Sequence, residues 1–88
     1  MRKDTVRHIF AIVRVLSEAG TWLWYREIAR RTRLHHKTVA RLLENQLSMF
    51  VETQETEAPI RVNMVRLKPG ADLDKVARFL SLKEKLGR

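Results

Sequence analysis

The sequence contains no cysteine, only two prolines, three glycines and six aromatic side chains of the Phe, Trp and Tyr types. Without cysteine there is no disulfide scaffold and no thiolate chemistry, whether redox or metal-binding. Three glycines cannot make a glycine-rich phosphate loop. The longest apolar run, Ile9-Phe10-Ala11-Ile12-Val13, is far below the roughly 20 residues needed to span a bilayer. Met1-Arg2-Lys3-Asp4 leads into no sustained apolar segment ending in a small-residue cleavage site, so no signal peptide is expected and the expected location is cytoplasmic. The three histidines and the scattered carboxylates form no nucleophile–base pair and no paired-carboxylate arrangement, so the chain is not expected to be an enzyme.

What remains is one small domain of 88 residues, 44% hydrophobic and 32% charged, which is a globular composition. Eighteen Lys and Arg against ten Asp and Glu give a formal charge of +8. Such an excess favours polyanions, nucleic acid first and an anionic membrane surface second. The charge is clustered: Arg26, Arg30, Arg31, Arg33, Lys37 and Arg41 are opposed within their window only by Glu27. Glu52, Glu55 and Glu57 make an acidic patch soon after.

Periodicity predicts a first helix from about Thr5 to Ala19, with Asp4 as its N-cap and Gly20 as its stop. It carries two apolar stripes, Val6, Ile9, Phe10, Val13 and Leu16 on one side and His8, Ile12, Val15 and Ala19 on the other. Thr21-Trp22-Leu23-Trp24 suits a short strand, and the spacing places both tryptophans on one sheet face. The plain expectation is that they seal the core or cover that face. The sharper one is an aromatic platform for a base or a partner.

A short helix is expected over Tyr25 to Thr32, with Ile28 and Ala29 inward and Arg26, Arg30 and Arg31 outward. A turn at Arg33-Leu34 leads to a third helix from about His36 to Gln46. Its inner face is Val39, Leu42 and Leu43, followed by Leu47, and its outer face is His36, Lys37, Ala40, Arg41 and Glu44. Phe50–Gln54 and Ile60–Leu67 then read as a hairpin. The change of apolar parity between Met64 and Val65 suggests a bulge. After Lys68-Pro69-Gly70, Asp72 is expected to cap a last helix running to Leu86, with Gly87 as its stop. Its stripes are Leu73, Val76, Ala77 and Leu80, and Phe79, Leu82 and Leu86.

Two short helices joined by a tight turn, with cations on the second and on the turn, make a helix-turn-helix. The stretch YREIARRTRLHHKTVARLLE (residues 25–44) and the following LLENQLSMFVETQETEAPIRVNMVRLKPG (residues 42–70) resemble the winged-helix transcription regulators of the MarR and ArsR types. The resemblance covers about residues 6–70. It implies an α+β winged helix-turn-helix fold, with a three-helix core, a small β-hairpin wing and an extra C-terminal helix, as a single domain over residues 1–88. Ala29, Leu34, Val39 and Leu42 match its structural positions. It implies DNA contacts from His35, His36, Lys37, Thr38 and Arg41, and wing contacts from Arg61 and Arg66. The charge cluster adds Arg26, Arg30, Arg31 and Arg33 as expected phosphate contacts, with a solvated helix face as the alternative for Arg26, Arg30 and Arg31.

Two departures stand out. Arg33 occupies the turn position often held by glycine, and the wing tip carries Glu55 and Glu57 where a basic tip is usual, so wing contact is expected only near the base, through Arg61. His35 has an alternative role as an N-cap, and adjacent His35 and His36 lack metal-ligand spacing. No metal, cofactor or small-molecule ligand is expected. The expected partners are double-stranded DNA and a second copy, paired through His8, Ile12 and Val15 of the first helix and Phe79, Leu82 and Leu86 of the last. The alternative is that these two helices pack on each other within one chain. RNA or the ribosome, and a basic protein meeting the acidic hairpin, are the competing partner classes.

Overall fold

The computed structural model describes residues 3–56 and 62–86, with side chains described for 3–54 and 64–81. Its elements run α1 (Lys3–Ala19), β1 (Leu23–Trp24), α2 (Tyr25–Thr32), α3 (His36–Glu44), β2 (Val51–Thr56), β3 (Val62–Leu67) and α4 (Leu73–Leu86). This is an α+β arrangement in which the three strands form one antiparallel sheet of order β1-β3-β2.

Helix α1 starts two residues earlier than its periodicity suggests. Asp4 therefore sits inside the first turn, where its charge faces the positive end of the helix dipole, rather than at the cap. Gly20 adopts φ +64°, and its N–H donates to the Leu16 carbonyl at 3.1 Å, closing the helix. The two stripes of α1 prove to be one broad arc. Ile9, Ile12, Val13 and Leu16 are all buried, because α1 packs against α2, α4 and β3 together. Ile12 is fully enclosed by its own chain, a burial that contributes roughly 1.5–3 kcal/mol.

Strand β2 pairs with β3 without interruption from Val51↔Leu67 to Thr56↔Val62, so the expected bulge is not there. The parity change has another cause: Val65 lies on the core face, opposite Leu23, whereas Met64 lies on the outer face, opposite Trp24. Apolar residues on both faces of one strand mimic a change of parity. Strand β2 runs on to Thr56, two residues into the expected loop of residues 55–59. Residues 57–61, which include Glu57 and Arg61, lie outside the described residues, as does the side chain of Glu55.

Helix α3 ends at Glu44, two residues short of expectation. Asn45 leaves helical geometry (φ −110°, ψ −84°), while its N–H and its side-chain amide both donate to the Arg41 carbonyl, at 3.0 and 2.8 Å. The Leu47 N–H then donates to the Leu42 carbonyl at 2.9 Å, and this wider turn delivers Leu47 to the core from outside the helix. Phe50 belongs to the same turn rather than to the strand, and meets Phe79 of α4 edge-on at 5.4 Å. Asp72 caps α4, its carboxylate accepting from the Lys75 N–H at 2.9 Å. Val76 and Leu80 bury their side chains, but Leu73, expected in the same stripe, is exposed at the helix start. Gly87 and the side chains of Leu82 and Leu86 lie outside the described residues.

Candidate functional site

The cationic window forms α2, a three-residue turn and α3. Each helix is anchored from beneath, α2 by buried Ile28 and half-buried Ala29, α3 by buried Val39, Leu42 and Leu43. Half-buried Leu34 packs under the turn. The Thr32 hydroxyl donates to the Ile28 carbonyl at 2.7 Å and accepts from the Leu34 N–H at 3.4 Å, bending the chain out of α2. Arg33 takes up the bend at φ 61°, ψ 25°, the left-handed region that favours glycine. A non-glycine residue there costs about 1–2 kcal/mol.

His35 then begins α3. Its Nδ1 accepts from the Lys37 N–H at 3.1 Å, so the ring is the N-cap of the helix. The His36 ring stacks on it at 4.4 Å between centroids. Lys37, Arg41 and His36 are exposed, and Thr38 is half-buried.

The cations fall into two groups. The Glu27 carboxylate receives Arg30 through both of its oxygens, at 3.1 Å from Nε and in a shorter contact from Nη2, and Arg31 Nε at 2.9 Å. These hydrogen bonds, more than charge attraction, hold the Glu27 carboxyl down to about 2 and push the Arg30 guanidinium up. Arg26, Arg33, Lys37 and Arg41 are exposed and have no ion pair among the described residues. Arg66, expected as a wing cation, is occupied: its Nε donates to Glu52 at 2.7 Å and its guanidinium lies 4.6 Å over the Trp22 ring.

Two features were left open or missed by the sequence reading. The first is the exposure of Trp24, which the sequence left between burial and an aromatic platform. Both tryptophans lie on one sheet face, as their spacing suggested, but neither seals the core: Trp24 is 53% exposed and Trp22 is half-buried beneath Arg66. The signal was Leu23 between them: in a two-residue strand whose one inward position is Leu23, its neighbours turn outward. The second is a groove of about 440 Å³ between the end of α3 and β2, lined by Tyr25, Leu43, Glu44, Ser48, Thr53 and Gln54 among others. Burial, and then the charge of Glu44, push the Tyr25 hydroxyl up. No local pattern announces this groove, because it exists only where β2 returns past α3.

Among the described residues, no three His, Asp or Glu side chains gather as a metal site requires, and no helix is long and apolar enough to cross a membrane. The chain matches no protein-family model, no curated protein and no solved structure.

Proposed function

We propose that the chain is a DNA-binding protein of the winged-helix type, acting as a transcriptional regulator with α3 inserted in the major groove. The observation that carries this reading is the pairing of a buried face with a free cationic face on α3. Val39, Leu42 and Leu43 fix the helix to the core, while His36, Lys37 and Arg41 are exposed and, among the described residues, Lys37 and Arg41 have no carboxylate partner. A helix about 10–12 Å across fits a groove about 12 Å wide. In this reading Arg41 reads a base edge, His36, Lys37 and Thr38 contact bases or phosphates, and Arg26 and Arg33 hold the flanking phosphates. Arg30 and Arg31 approach phosphate only by leaving Glu27, and His35 orders the helix start rather than reading DNA. The acidic hairpin keeps its tip away from the backbone.

Pairing through α1 and α4 is part of the proposal, since two half-sites one turn apart, about 34–36 Å, need a dimer. Ile12 is taken up by the core of its own chain, and Phe79 packs on Phe50, so the described α1 residues left for this contact are the half-buried His8 and Val15.

The test is a salt titration of binding to a duplex library, with structured RNA as competitor. A log–log slope of roughly −5 to −7 is expected for a dimer neutralising about 6–8 phosphates. Arg41→Ala should cost about 1–3 kcal/mol and relax the preference at one base position. An affinity indifferent to salt, or stronger for the RNA than for any duplex, overturns the reading. Sedimentation showing only a 10.4 kDa species removes the dimer alone.

A further inference from the structure

The two tryptophans lie on the sheet face turned away from the core. Leu23 and Val65 oppose each other across β1 and β3 and are both buried, so the neighbouring positions on each strand point outward. One outward row is Trp24, Met64 and Gln54, which are register partners across all three strands. The next is Trp22, Arg66 and Glu52: Arg66 lies over the Trp22 ring, and Glu52 holds Arg66 from the neighbouring strand. The two rows are two residues apart, roughly 7 Å along the strand.

We propose that this outer sheet face is a second nucleic-acid surface, which binds a single strand by stacking its bases on Trp24 and on the guanidinium plane of Arg66. An indole 53% exposed is an unusual surface feature. Arg66 is already flat against Trp22 and tethered at its edge by Glu52, with its side chain 45% exposed, so a base meets a guanidinium that has no further freedom to lose. Aromatic and guanidinium planes accept any base, whereas the paired bases of a duplex are already stacked on one another.

The charge of the face agrees with this occupant. Among the described outward side chains the one carboxylate, Glu52, is matched by Arg66, and Gln54 and Met64 are neutral. Exposed Lys68 follows Arg66 by two residues, and its N–H donates to the Phe50 carbonyl at 2.9 Å, carrying the extended chain one step past β3. Among the described side chains, a phosphate backbone crossing the face therefore meets Arg66 and Lys68 and no unmatched carboxylate. An apolar protein partner would find one indole and one half-buried methionine beside a polar row, a small area for a stable interface.

Both tryptophans of the chain lie on this face, and α3 has none, so intrinsic fluorescence reads the sheet and not the recognition helix. The experiment titrates the full chain with an oligo-dT 12-mer, following tryptophan quenching and the anisotropy of the labelled oligonucleotide, beside a blunt duplex. Saturable quenching by the single strand is expected. Trp24→Ala should weaken oligo-dT binding at least five-fold, and Trp24→Phe by clearly less, with thermal melts showing both variants folded. Lys37→Ala with Arg41→Ala should leave oligo-dT affinity within about two-fold while weakening the duplex. The double variant thus separates the two readings, since the loss of either binding mode leaves the other measurable.

An oligo-dT complex without quenching, the absence of any complex, or equal affinity of wild type and Trp24→Ala overturns the proposal. So does a tryptophan shift that depends on protein concentration alone and accompanies sedimentation as a larger species. That last outcome assigns the face to a second copy of the chain.

Discussion

On α2, Arg30 and Arg31 converge on one carboxylate; on α3, Lys37 and Arg41 pair with no carboxylate among the described residues. Spacing explains the difference. Glu27 precedes Arg30 by three residues and Arg31 by four, the order and distance at which an acid on a helix reaches a following base. On α3 the acid comes last: Glu44 follows Arg41 by three and Lys37 by seven, the less favourable order and then beyond reach. Two helices of similar cationic content therefore differ in the charge they can offer a phosphate. Counting charges along the sequence locates the basic surface, but it overstates the share of α2 in it.

The largest effect expected from a single change tests what the two helices have in common. Leu42 is 1% exposed, in the same core as Ile28 of α2. Leu42→Ala should cost about 2–5 kcal/mol of stability in urea unfolding, with the signals of both helices lost in one transition. A cost below about 1 kcal/mol, or an α3 that melts before α2, would falsify the shared anchoring on which the comparison stands.

Much of the scaffold was legible in the sequence because it depends on local chemistry. The bounds of α2, the stop at Gly20 and the cap at Asp72 all follow from residues within four positions of the feature, while the left-handed turn at Arg33 was signalled only by the resemblance, which often has glycine there. The misreadings arose where distant elements meet. Ile12 looked like a spare face until three elements enclosed α1. Met64 and Val65 looked like a bulge until the sheet was seen to carry apolar residues on both faces. Arg66 looked like a free wing cation until Trp22 and Glu52, 44 and 14 residues away, closed on it. At the site, His35 was legible as a cap, whereas the pairing of Arg30 and Arg31 with Glu27, although its spacing stands in the sequence, was passed over because Glu27 was counted only as one opposing charge.

A smaller effect sharpens the contrast directly. Glu27→Gln removes the carboxylate that competes with phosphate for Arg30 and Arg31 and leaves Lys37 and Arg41 as they are. Duplex affinity at low salt should rise roughly two- to five-fold, and the salt dependence should steepen by about one to two phosphate equivalents. The same titration on Arg30→Ala should show a weaker loss than on Lys37→Ala, because Arg30 must first leave its partner. If Glu27→Gln binds no better than wild type, the guanidinium groups of α2 are not held back by their ion pairs.

The smallest effect is a pH dependence belonging to α2 alone. Hydrogen bonds from Arg30 and Arg31 hold the Glu27 carboxyl at about 2, below its ordinary 4.5. A carboxyl whose value is depressed by folding stabilises the folded state fully above its ordinary value, and loses that contribution as the pH falls toward the depressed one. The unfolding midpoint of wild type should therefore exceed that of Glu27→Gln by a constant amount from about pH 7 to about pH 5, then converge with it toward about pH 2. The gap should be modest, because the three side chains are solvent-accessible, and should shrink in about 1 M salt. Lys37→Ala should show no such convergence, since no carboxylate among the described residues pairs with Lys37. A Glu27→Gln gap that persists unchanged down to about pH 2 would mean that the α2 guanidiniums stand as free as the cations of α3, and the distinction between the two helices would collapse.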